Sequence, residues 1–398
     1  MDNATSQFSE GERAMFYFDE GIERRGTSCV KWDESFVGRD VLPMWVADMD
    51  FEIAPAITER LVKTASKGVF GYQFLSDEYY HAVIRFMKER HAYEVEKDWI
   101  VYLPDVVSGL HLAICTLSEP GDEIILMPPV YGPFFRVVKE NDRVIKECWL
   151  NNESGHYTMD YEKLENSITE KTKAVMLCNP HNPAGRVWTE SELEQLVKIC
   201  AKYNLPIISD DIHCDILSKD HKHTMVANIC RENGVKCITL TSPSKPFNLA
   251  SVHVANAIIE DKDIREKFKA VLAHFHVSGA NAFSEAALIG AYDESREWLD
   301  EMNAYVEANH EYFVKYIEEN IPALKAVKPE GTYLLWVDFT NIPKVQGKPK
   351  EFLDEYCKIL VNDGEFFGDA GKGFVRFNLA CPRKYVEKAL GILKEWFA

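Results

Sequence analysis

Residues 239–248 read TLTSPSKPFN and contain the lysine on which the expected chemistry of the chain depends. An apolar, β-prone run ends in a hydroxyl-rich loop that carries one lysine, Lys245. A lysine at the mouth of a sheet can form a Schiff base with an aldehyde, while the neighbouring hydroxyls of Ser242 and Ser244 hold a phosphate. The alternative is a surface lysine after a strand, and other polar residues of the chain decide between the two.

Composition and charge exclude several classes of protein. The chain has 398 residues, enough for two or more domains, and a formal net charge of -18, which argues against nucleic acid or an anionic membrane as a partner. No apolar run is long enough to cross a bilayer, and residues 1–11 lack the apolar core of a signal peptide. The 10 cysteines are scattered without a C-x-x-C pair, which is typical of thiols in a reducing compartment. We expect a cytoplasmic protein with a mobile polar tail at residues 1–14.

From residue 100 onward strands and helices alternate, the pattern of a mostly parallel sheet covered by helices. After about residue 285 the pattern changes to that of a smaller α+β domain. We therefore expect an α/β fold with a seven-stranded-type sheet. Its expected parts are an N-terminal arm belonging partly to the small domain (1–50), a large domain (51–285) and a small C-terminal domain (286–398). The expected strands of the sheet are Ile100–Leu103, Glu123–Met127, Arg143–Leu150, Ala174–Cys178, Leu205–Ser209, Lys236–Thr241 and Val254–Ile259.

Polar residues follow three of these strands, at Asn179, Asp210 and Lys245. The carboxyl edge of an open α/β sheet is where ligands bind, so we expect these residues to surround one ligand. Pyridoxal phosphate would need an amine for its aldehyde, which Lys245 supplies, and a buried carboxylate at its ring nitrogen, which Asp210 supplies.

The remaining parts of that cofactor also have candidate partners. Asn182 and His213 could bind the phenolic oxygen, and Tyr131 could cover the face of the ring. The phosphate requires backbone N–H groups at a helix start together with hydroxyls. The candidates for this role are Val107, Ser108, Ser242 and Ser244.

The order of these motifs resembles the fold-type I pyridoxal-phosphate enzymes, the aspartate aminotransferase superfamily. The motifs are Asn182-Pro183-x-Gly185, Asp210-x-x-His213 and Ser242-x-Ser244-Lys245, with Arg376 in the last strand. A narrower resemblance, to the cystathionine β-lyases (C–S lyases of the MalY/PatB type), spans residues 16–398. It is carried by residues 18–27, 31–33, 43–51, 178–183, 210–215, 331–333 and 374–382.

The resemblance implies roles for individual residues. Lys245 would form the Schiff base and remove the Cα proton, and Arg376 would bind the substrate carboxylate beside Ala47, Asn182 and Tyr131. Asp210 would pair with the ring nitrogen. Tyr72 would reach the phosphate in a neighbouring subunit, which implies a homodimer with shared active sites.

The same residues serve alternative outcomes. Elimination from a small sulfur amino acid would release a thiol, pyruvate and ammonia, whereas return of the proton to the cofactor would give transamination. Many aminotransferases have an arginine at the position of His253, so His253 favours the lyase. His213 stands where many relatives have tyrosine. A binding protein without enzymatic activity is a further alternative.

A zinc enzyme is a weaker alternative, suggested by the neighbouring His213, Asp215, Asp220, His221 and His223. Their spacing matches no familiar metal motif, and we expect no metal.

Overall fold

The computed structural model describes residues 16–35, 38, 40–277 and 279–398. The tail expected at residues 1–14 lies outside the described residues. The strands are β1 (Leu42–Pro43), β2 (Ile100–Leu103), β3 (Glu123–Leu126), β4 (Val144–Glu147), β5 (Asn151–Glu153), β6 (His156–Thr158), β7 (Thr172–Cys178), β8 (Ile207–Asp210), β9 (Cys237–Thr241), β10 (Ala255–Ile258), β11 (Lys325–Ala326), β12 (Leu334–Asp338), β13 (Ile359–Leu360), β14 (Asn362–Asp363) and β15 (Phe374–Asn378).

The helices are α1 (Pro55–Ala65), α2 (Asp77–His91), α3 (Val106–Leu117), α4 (Gly132–Glu140), α5 (Tyr161–Ser167), α6 (Glu190–Tyr203), α7 (Val226–Glu232), α8 (Lys262–His274), α9 (Ala282–Glu294), α10 (Arg296–Asn320), α11 (Pro349–Phe352) and α12 (Arg383–Phe397). Helix α6 begins at a Thr189 cap. The Thr189 hydroxyl accepts from the N–H of Glu192, and the Glu192 carboxylate accepts from the N–H of Thr189. This capping box fixes the first turn of the helix. None of the described helices combines the length and apolar character needed to cross a bilayer.

A seven-stranded sheet forms the centre of the larger part of the molecule, in the order β2-β10-β9-β8-β7-β3-β4. Strands β9, β8, β7, β3 and β4 run parallel, whereas β10 is antiparallel to both of its neighbours. The mostly parallel sheet that the sequence predicts is therefore confirmed. Its one departure is near the β2 edge, where β10 is antiparallel to β2 and to β9. Side chains of α3, α4 and α8 pack on one face, and those of α6 and α7 pack on the other.

The expected strand at residues 143–150 is shorter than predicted, because β4 ends at Glu147. The neighbouring chain beyond β3 contains Pro128 and Pro129. Proline has no N–H group, so this part of the chain cannot donate to a ladder, although Leu150 N still donates to Pro128 O at 2.8 Å. The apolar pattern continues past this point, but only one-way hydrogen bonds continue the contact, from Cys148 N to Leu126 O and from Leu150 N to Pro128 O.

A second, four-stranded antiparallel sheet in the order β11-β12-β15-β14 forms the smaller C-terminal part. Helix α12 packs against it around buried side chains such as Phe377 and Leu390. The N-terminal segment joins this part, since β1 pairs in parallel with β13. The smaller C-terminal domain is confirmed, and its boundaries at residues 50 and 285 stay predictions.

Candidate active site

A pocket lies at the carboxyl ends of β7, β8 and β9. Because these neighbouring strands are parallel, the loops that follow them meet at one edge of the sheet. The residues that line the pocket come from these loops, from the start of α3 and from the N-terminal segment. They are Ala47, Pro104, Asp105, Val106, Val107, Tyr131, Cys178, Asn182, Asp210, Ile212, His213, Ser244, Lys245, Ala250 and Val254.

Lys245 projects from a tight loop held by Phe247, whose side chain is fully buried and whose N–H donates to Pro243 O at 3.0 Å. The Lys245 ammonium donates to Ala47 O at 2.6 Å. Burial, together with the charge of Arg376, lowers the pKa of Lys245 to about 8. A lysine with this pKa is partly neutral near physiological pH, as a nucleophile or base requires.

Asp210 ends β8 and is buried with its carboxylate toward the pocket. Burial raises its pKa to about 7, and the adjacent Asp211 adds to that rise, while the N–H of Ile212, 3.2 Å from Oδ1, and the charge of Lys245 oppose it. Asp211 itself is turned away and lies 2.8 Å from His223 Nε2. Asp210 is therefore poised to ionise when a positive charge enters the pocket.

Arg376, on β15, is a buried cation held only by neutral groups among the described residues. Its guanidinium donates to Asn182 Oδ1 at 3.0 Å and to Trp45 O at 3.2 Å, and Asn362 Oδ1 is a third acceptor. Its Nε–H is buried without a partner, and burial lowers the pKa of Arg376 to about 10. Because an isolated buried charge is costly, this arrangement favours the entry of an anion such as a carboxylate.

The same hydrogen bond orients Asn182. Since the amide oxygen accepts from Arg376, the amide nitrogen is left as the donor toward the pocket. His213 also lines the pocket with Nδ1 unpartnered, and burial, with the charges of Lys245 and Arg376, keeps its pKa well below the usual value. Burial raises the pKa of Tyr131, so its ring is a neutral phenol.

The residues proposed for the phosphate are differently placed. Val107 and Ser244 line the pocket, whereas the N–H and hydroxyl of Ser108 both donate to the Asp105 carboxylate at 2.8 Å. Ser242 Oγ lies 2.7 Å from Ser244 Oγ and donates to Val254 O at 2.6 Å. This end of the pocket therefore offers backbone N–H groups and the Ser244 hydroxyl, beside a carboxylate.

Tyr72 lies outside the pocket of its own chain. It belongs to the irregular segment between α1 and α2, and its side chain is fully exposed.

Two neighbours of the predicted residues were not identified from the sequence. Tyr333 is fully buried and its hydroxyl donates to Ala47 O at 2.8 Å, the carbonyl that also accepts from Lys245. Asn362, on β14, holds Arg376. The sequence signal for Tyr333 was its place in the motif at residues 331–333, and no local pattern marks Asn362.

The histidine cluster that suggested zinc does not converge. His213 faces the pocket, His221 lies near Ser218, and His223 pairs with Asp211. Among the described residues, His91, Cys214 and Asp215 bring three potential ligand atoms within 4.8 Å of one another. Arg90 Nε already lies 3.2 Å from Asp215 Oδ1, so this group is an ion-paired cluster.

The donor set fits pyridoxal phosphate at most of its atoms. Lys245 has an amine of lowered pKa for the aldehyde, Asp210 is a buried carboxylate for the ring nitrogen, and Asn182 offers an N–H donor for the phenolic oxygen. Asp105 is the one group that opposes the fit, because a carboxylate repels a phosphate.

Comparison with known proteins places this site in a family. Residues 39–393 match the model of the aminotransferase class I and II family. The chain is 36% identical over 381 residues to the cystathionine β-lyase PatB of Bacillus subtilis (strain 168), covering 95% of this chain and 98% of that one.

Two solved structures agree. The crystal structure of cystalysin from Treponema denticola, which contains pyridoxal 5'-phosphate, has a TM-score of 0.92 and 35% identity, covering 96% of this chain and 98% of that one. A pyridoxal-phosphate-bound C–S lyase from Staphylococcus hominis, complexed with L-cycloserine, has a TM-score of 0.90 and 29% identity, covering 97% and 99%. The chain therefore belongs to the aminotransferase class I and II family of pyridoxal-phosphate-dependent enzymes, in the branch that contains the cystathionine β-lyases.

Proposed function

We propose that this enzyme is a C–S β-lyase, which cleaves the Cβ–S bond of cystathionine or a related cysteine thioether. One observation carries the proposal: Arg376, a buried arginine without an acidic partner among the described residues, donates to the pocket residue Asn182, and its charge acts on Lys245, a lysine of lowered pKa. An amino acid brings the carboxylate that Arg376 requires and the Cα proton that Lys245 can remove. The names of the relatives support the thioether as substrate.

Pyridoxal phosphate, when bound, supplies an electron sink that makes the Cα–H bond acidic. Arg376 binds the substrate carboxylate by two parallel N–H donors, and Asn182 is oriented by the same guanidinium. Asp210 would keep a proton on the ring nitrogen, because its ionised form would be stabilised by that positive charge. The backbone at Val107 and the hydroxyl of Ser244 would hold the phosphate, with Ser242 supporting Ser244 at 2.7 Å, and Tyr131 and His213 would contact the ring.

Lys245 takes the Cα proton, and the Cβ–S bond then breaks with its electron pair leaving on sulfur. The thiolate gains a proton as it departs. Water hydrolyses the remaining three-carbon fragment to pyruvate and ammonia, so that no external acceptor is consumed. Ala47 O, 2.6 Å from Lys245 Nζ and 2.8 Å from the Tyr333 hydroxyl, holds the amine near the reacting carbon.

Transamination is the alternative, and the family itself is named for it. In elimination the Cβ–S bond breaks after Lys245 has taken the Cα proton, whereas in transamination that bond would stay intact and Lys245 would deliver the proton to the cofactor. The pure enzyme should be incubated with cystathionine alone, and separately with an amino acid and a 2-oxo acid. Thiol and pyruvate without an acceptor support the lyase. A product amino acid that forms only when a 2-oxo acid is present contradicts it, and the Lys245→Ala variant is the matched blank.

We further propose a cytoplasmic homodimer in which Tyr72 completes the partner's site. The segment around Tyr72 supports the dimer, because its apolar side chains Val69 and Phe74 are 79% and 98% exposed in the single chain. A partner subunit would remove these side chains from water. Mixing inactive Tyr72→Ala and Lys245→Ala subunits tests it. Random exchange should restore about one quarter of the wild-type activity, since half of the dimers then hold one intact site. Unchanged inactivity in a mixture shown to exchange subunits contradicts shared sites.

A further inference from the structure

Asp105 places a carboxylate in the part of the pocket where the phosphate is expected. It is the cap of α3, with Oδ1 2.8 Å from Ser108 N and Oδ2 2.8 Å from Ser108 Oγ. Both oxygens are therefore anchored, and the carboxylate cannot leave the helix start without losing two hydrogen bonds. Asp105 lines the pocket together with Val106, Val107 and Ser244.

The described residues offer little positive charge against this acid. Lys245 is the only lysine or arginine that lines the pocket, and its ammonium donates to Ala47 O. Arg376 donates to Asn182 and to Trp45 O and makes no described hydrogen bond with the start of α3. His253 is exposed. A doubly charged phosphate at this position would lie beside a third negative charge.

We infer that Asp105 makes phosphate binding proton-linked: the pocket binds the cofactor phosphate together with one proton, which the phosphate and the Asp105 carboxylate share. The inference rests on the proposed function. A phosphate monoester loses its second proton at a pKa of about 6, so at higher pH the carboxylate faces a dianion or must itself be protonated. Either cost weakens the binding as the pH rises.

Other titratable groups face the same space. His111 interacts with Asp105 from the next turn of α3, and its ring is 3.5 Å from Glu140 of α4. Asp210, His213 and Tyr131 line the pocket with Lys245. Asp210, His213 and Tyr131 act on the ring and the amine in the same way whether or not the ligand carries a phosphate, so a comparison with pyridoxal cancels their effects. His111 is present in both wild type and Asp105→Asn, so a pH dependence that it caused would persist in the variant.

The experiment compares pyridoxal phosphate with pyridoxal, which lacks the phosphate. Cofactor-free wild type, Asp105→Asn and Asp160→Asn are titrated with each ligand, and the visible absorbance of the lysine-bound form gives the dissociation constants. Asp160 is the matched control, since it caps α5 at 2.9 Å from Lys163 N and does not line the pocket. The ratio of the two dissociation constants gives the contribution of the phosphate to binding, because both ligands bond to Lys245.

For wild type and Asp160→Asn, the advantage of pyridoxal phosphate over pyridoxal should fall about tenfold or more between about pH 6 and pH 8. For Asp105→Asn it should stay nearly constant and be about tenfold larger at the higher pH. Equal ratios in wild type and Asp105→Asn overturn the inference, although the proposed function stands. Failure of the wild type to form the absorbing species with either ligand overturns the proposed function instead.

If Asp105→Asn does not fold, Asp105→Ser retains a capping side chain. The wild type also gives a direct reading by phosphorus NMR. Its bound phosphate should titrate above the solution pKa of about 6, and a bound phosphate that stays dianionic down to about pH 5 contradicts the shared proton.

Discussion

Two adjacent aspartates show how neighbouring residues acquire different chemistry. Asp211 is compensated by His223 at 2.8 Å, whereas Asp210 has no described cation at ion-pair distance and faces the pocket. Burial accordingly raises the pKa of Asp210 to about 7. Burying Asp210 in its ionised form therefore lowers the free energy of unfolding. The positive charge of a bound cofactor ring would offset this loss.

We predict that Asp210→Asn stabilises the cofactor-free protein in a pH-dependent way. With its pKa raised from 3.8 to about 7, folded Asp210 keeps a proton that the unfolded chain loses. Stability therefore falls as the pH rises through that interval, and the variant should gain a few kcal/mol over wild type at about pH 8 but little at about pH 4. Urea unfolding at both pH values measures this. Asp211→Asn, which deprives His223 of its carboxylate, should destabilise at the higher pH, and a destabilised Asp210→Asn would contradict the interpretation.

Arg376→Lys should lower kcat/KM for the amino-acid substrate by about 100-fold, mainly through KM. A lysine supplies charge without the two parallel donors, and it cannot keep the bond to Asn182 while binding a carboxylate. Steady-state kinetics measure the change. The absorbance of the bound cofactor is the control and should persist; a variant with unchanged KM would exclude Arg376 as the carboxylate ligand.

Loops between the elements position the site. The Asn182-Pro183-x-Gly185 loop is fastened to the loop before β12, because Glu330 N and Gly331 N both donate to Gly185 O, at 2.8 and 3.1 Å. Gly185 has a φ of +69°, and a Cβ there would lie 2.4 Å from Pro329 Cβ. This close approach joins Asn182 to the loop that carries Tyr333.

Gly185→Ala should therefore lower the free energy of unfolding for two reasons, the strain of a positive φ and the clash of the new Cβ with Pro329. Gly234 is a matched control with the same φ of +69° and no atom within 4 Å of an added Cβ. Gly234→Ala should cost about 1 kcal/mol, and Gly185→Ala about 2 kcal/mol more, because Pro329 or its loop must move. Equilibrium unfolding of both variants gives the difference, and equal losses would show that the loop yields freely.

At the scale of the whole molecule, the N-terminal segment crosses from the small sheet to the active site. Its backbone is held by Asn378, which donates to Val46 O and Asp48 O at 2.6 Å, and by Asn248, which donates to Met49 O at 3.1 Å. These contacts present Ala47 O to Lys245. The described residues of the N-terminal arm, which the sequence predicts as residues 1–50, thus contact both parts of the molecule.

A buried ion-pair cluster anchors this segment, and Asp50→Asn should release it. Asp50 accepts from Lys31 Nζ at 2.7 Å and from Arg24 Nη1 at 2.8 Å. Burial would lower the pKa of Lys31, but the charges of Asp50 and Asp48 outweigh it, and the pKa is raised. The stability that this ion pair contributes is therefore fully present below the unfolded pKa of lysine and is lost only at strongly alkaline pH.

The variant should lose about 3 kcal/mol of unfolding free energy and expose the segment to proteases. Glu294→Gln, which removes the surface pair with Arg60, is the control and should change the stability by less than about 1 kcal/mol. Equal stability of the two variants would contradict an anchoring role.

The sequence by itself determined the alternation of strands and helices and the capping box of α6, because these depend on neighbours close in the chain. It also indicated that the polar residues after three parallel strands would meet at one edge, since such strands carry their carboxyl ends to the same side. Asp210 and Lys245 do line the pocket there, but Asn179 does not: its amide donates to Thr224 O, and Asn182 lines the pocket instead. Tertiary structure decided the antiparallel β10, the early end of β4 and the contacts between distant residues. Lys245 meets Ala47 across 198 positions, and Arg376 meets Asn182 across 194. No local pattern encodes such pairs, because their partners are set by how the two parts of the molecule pack together.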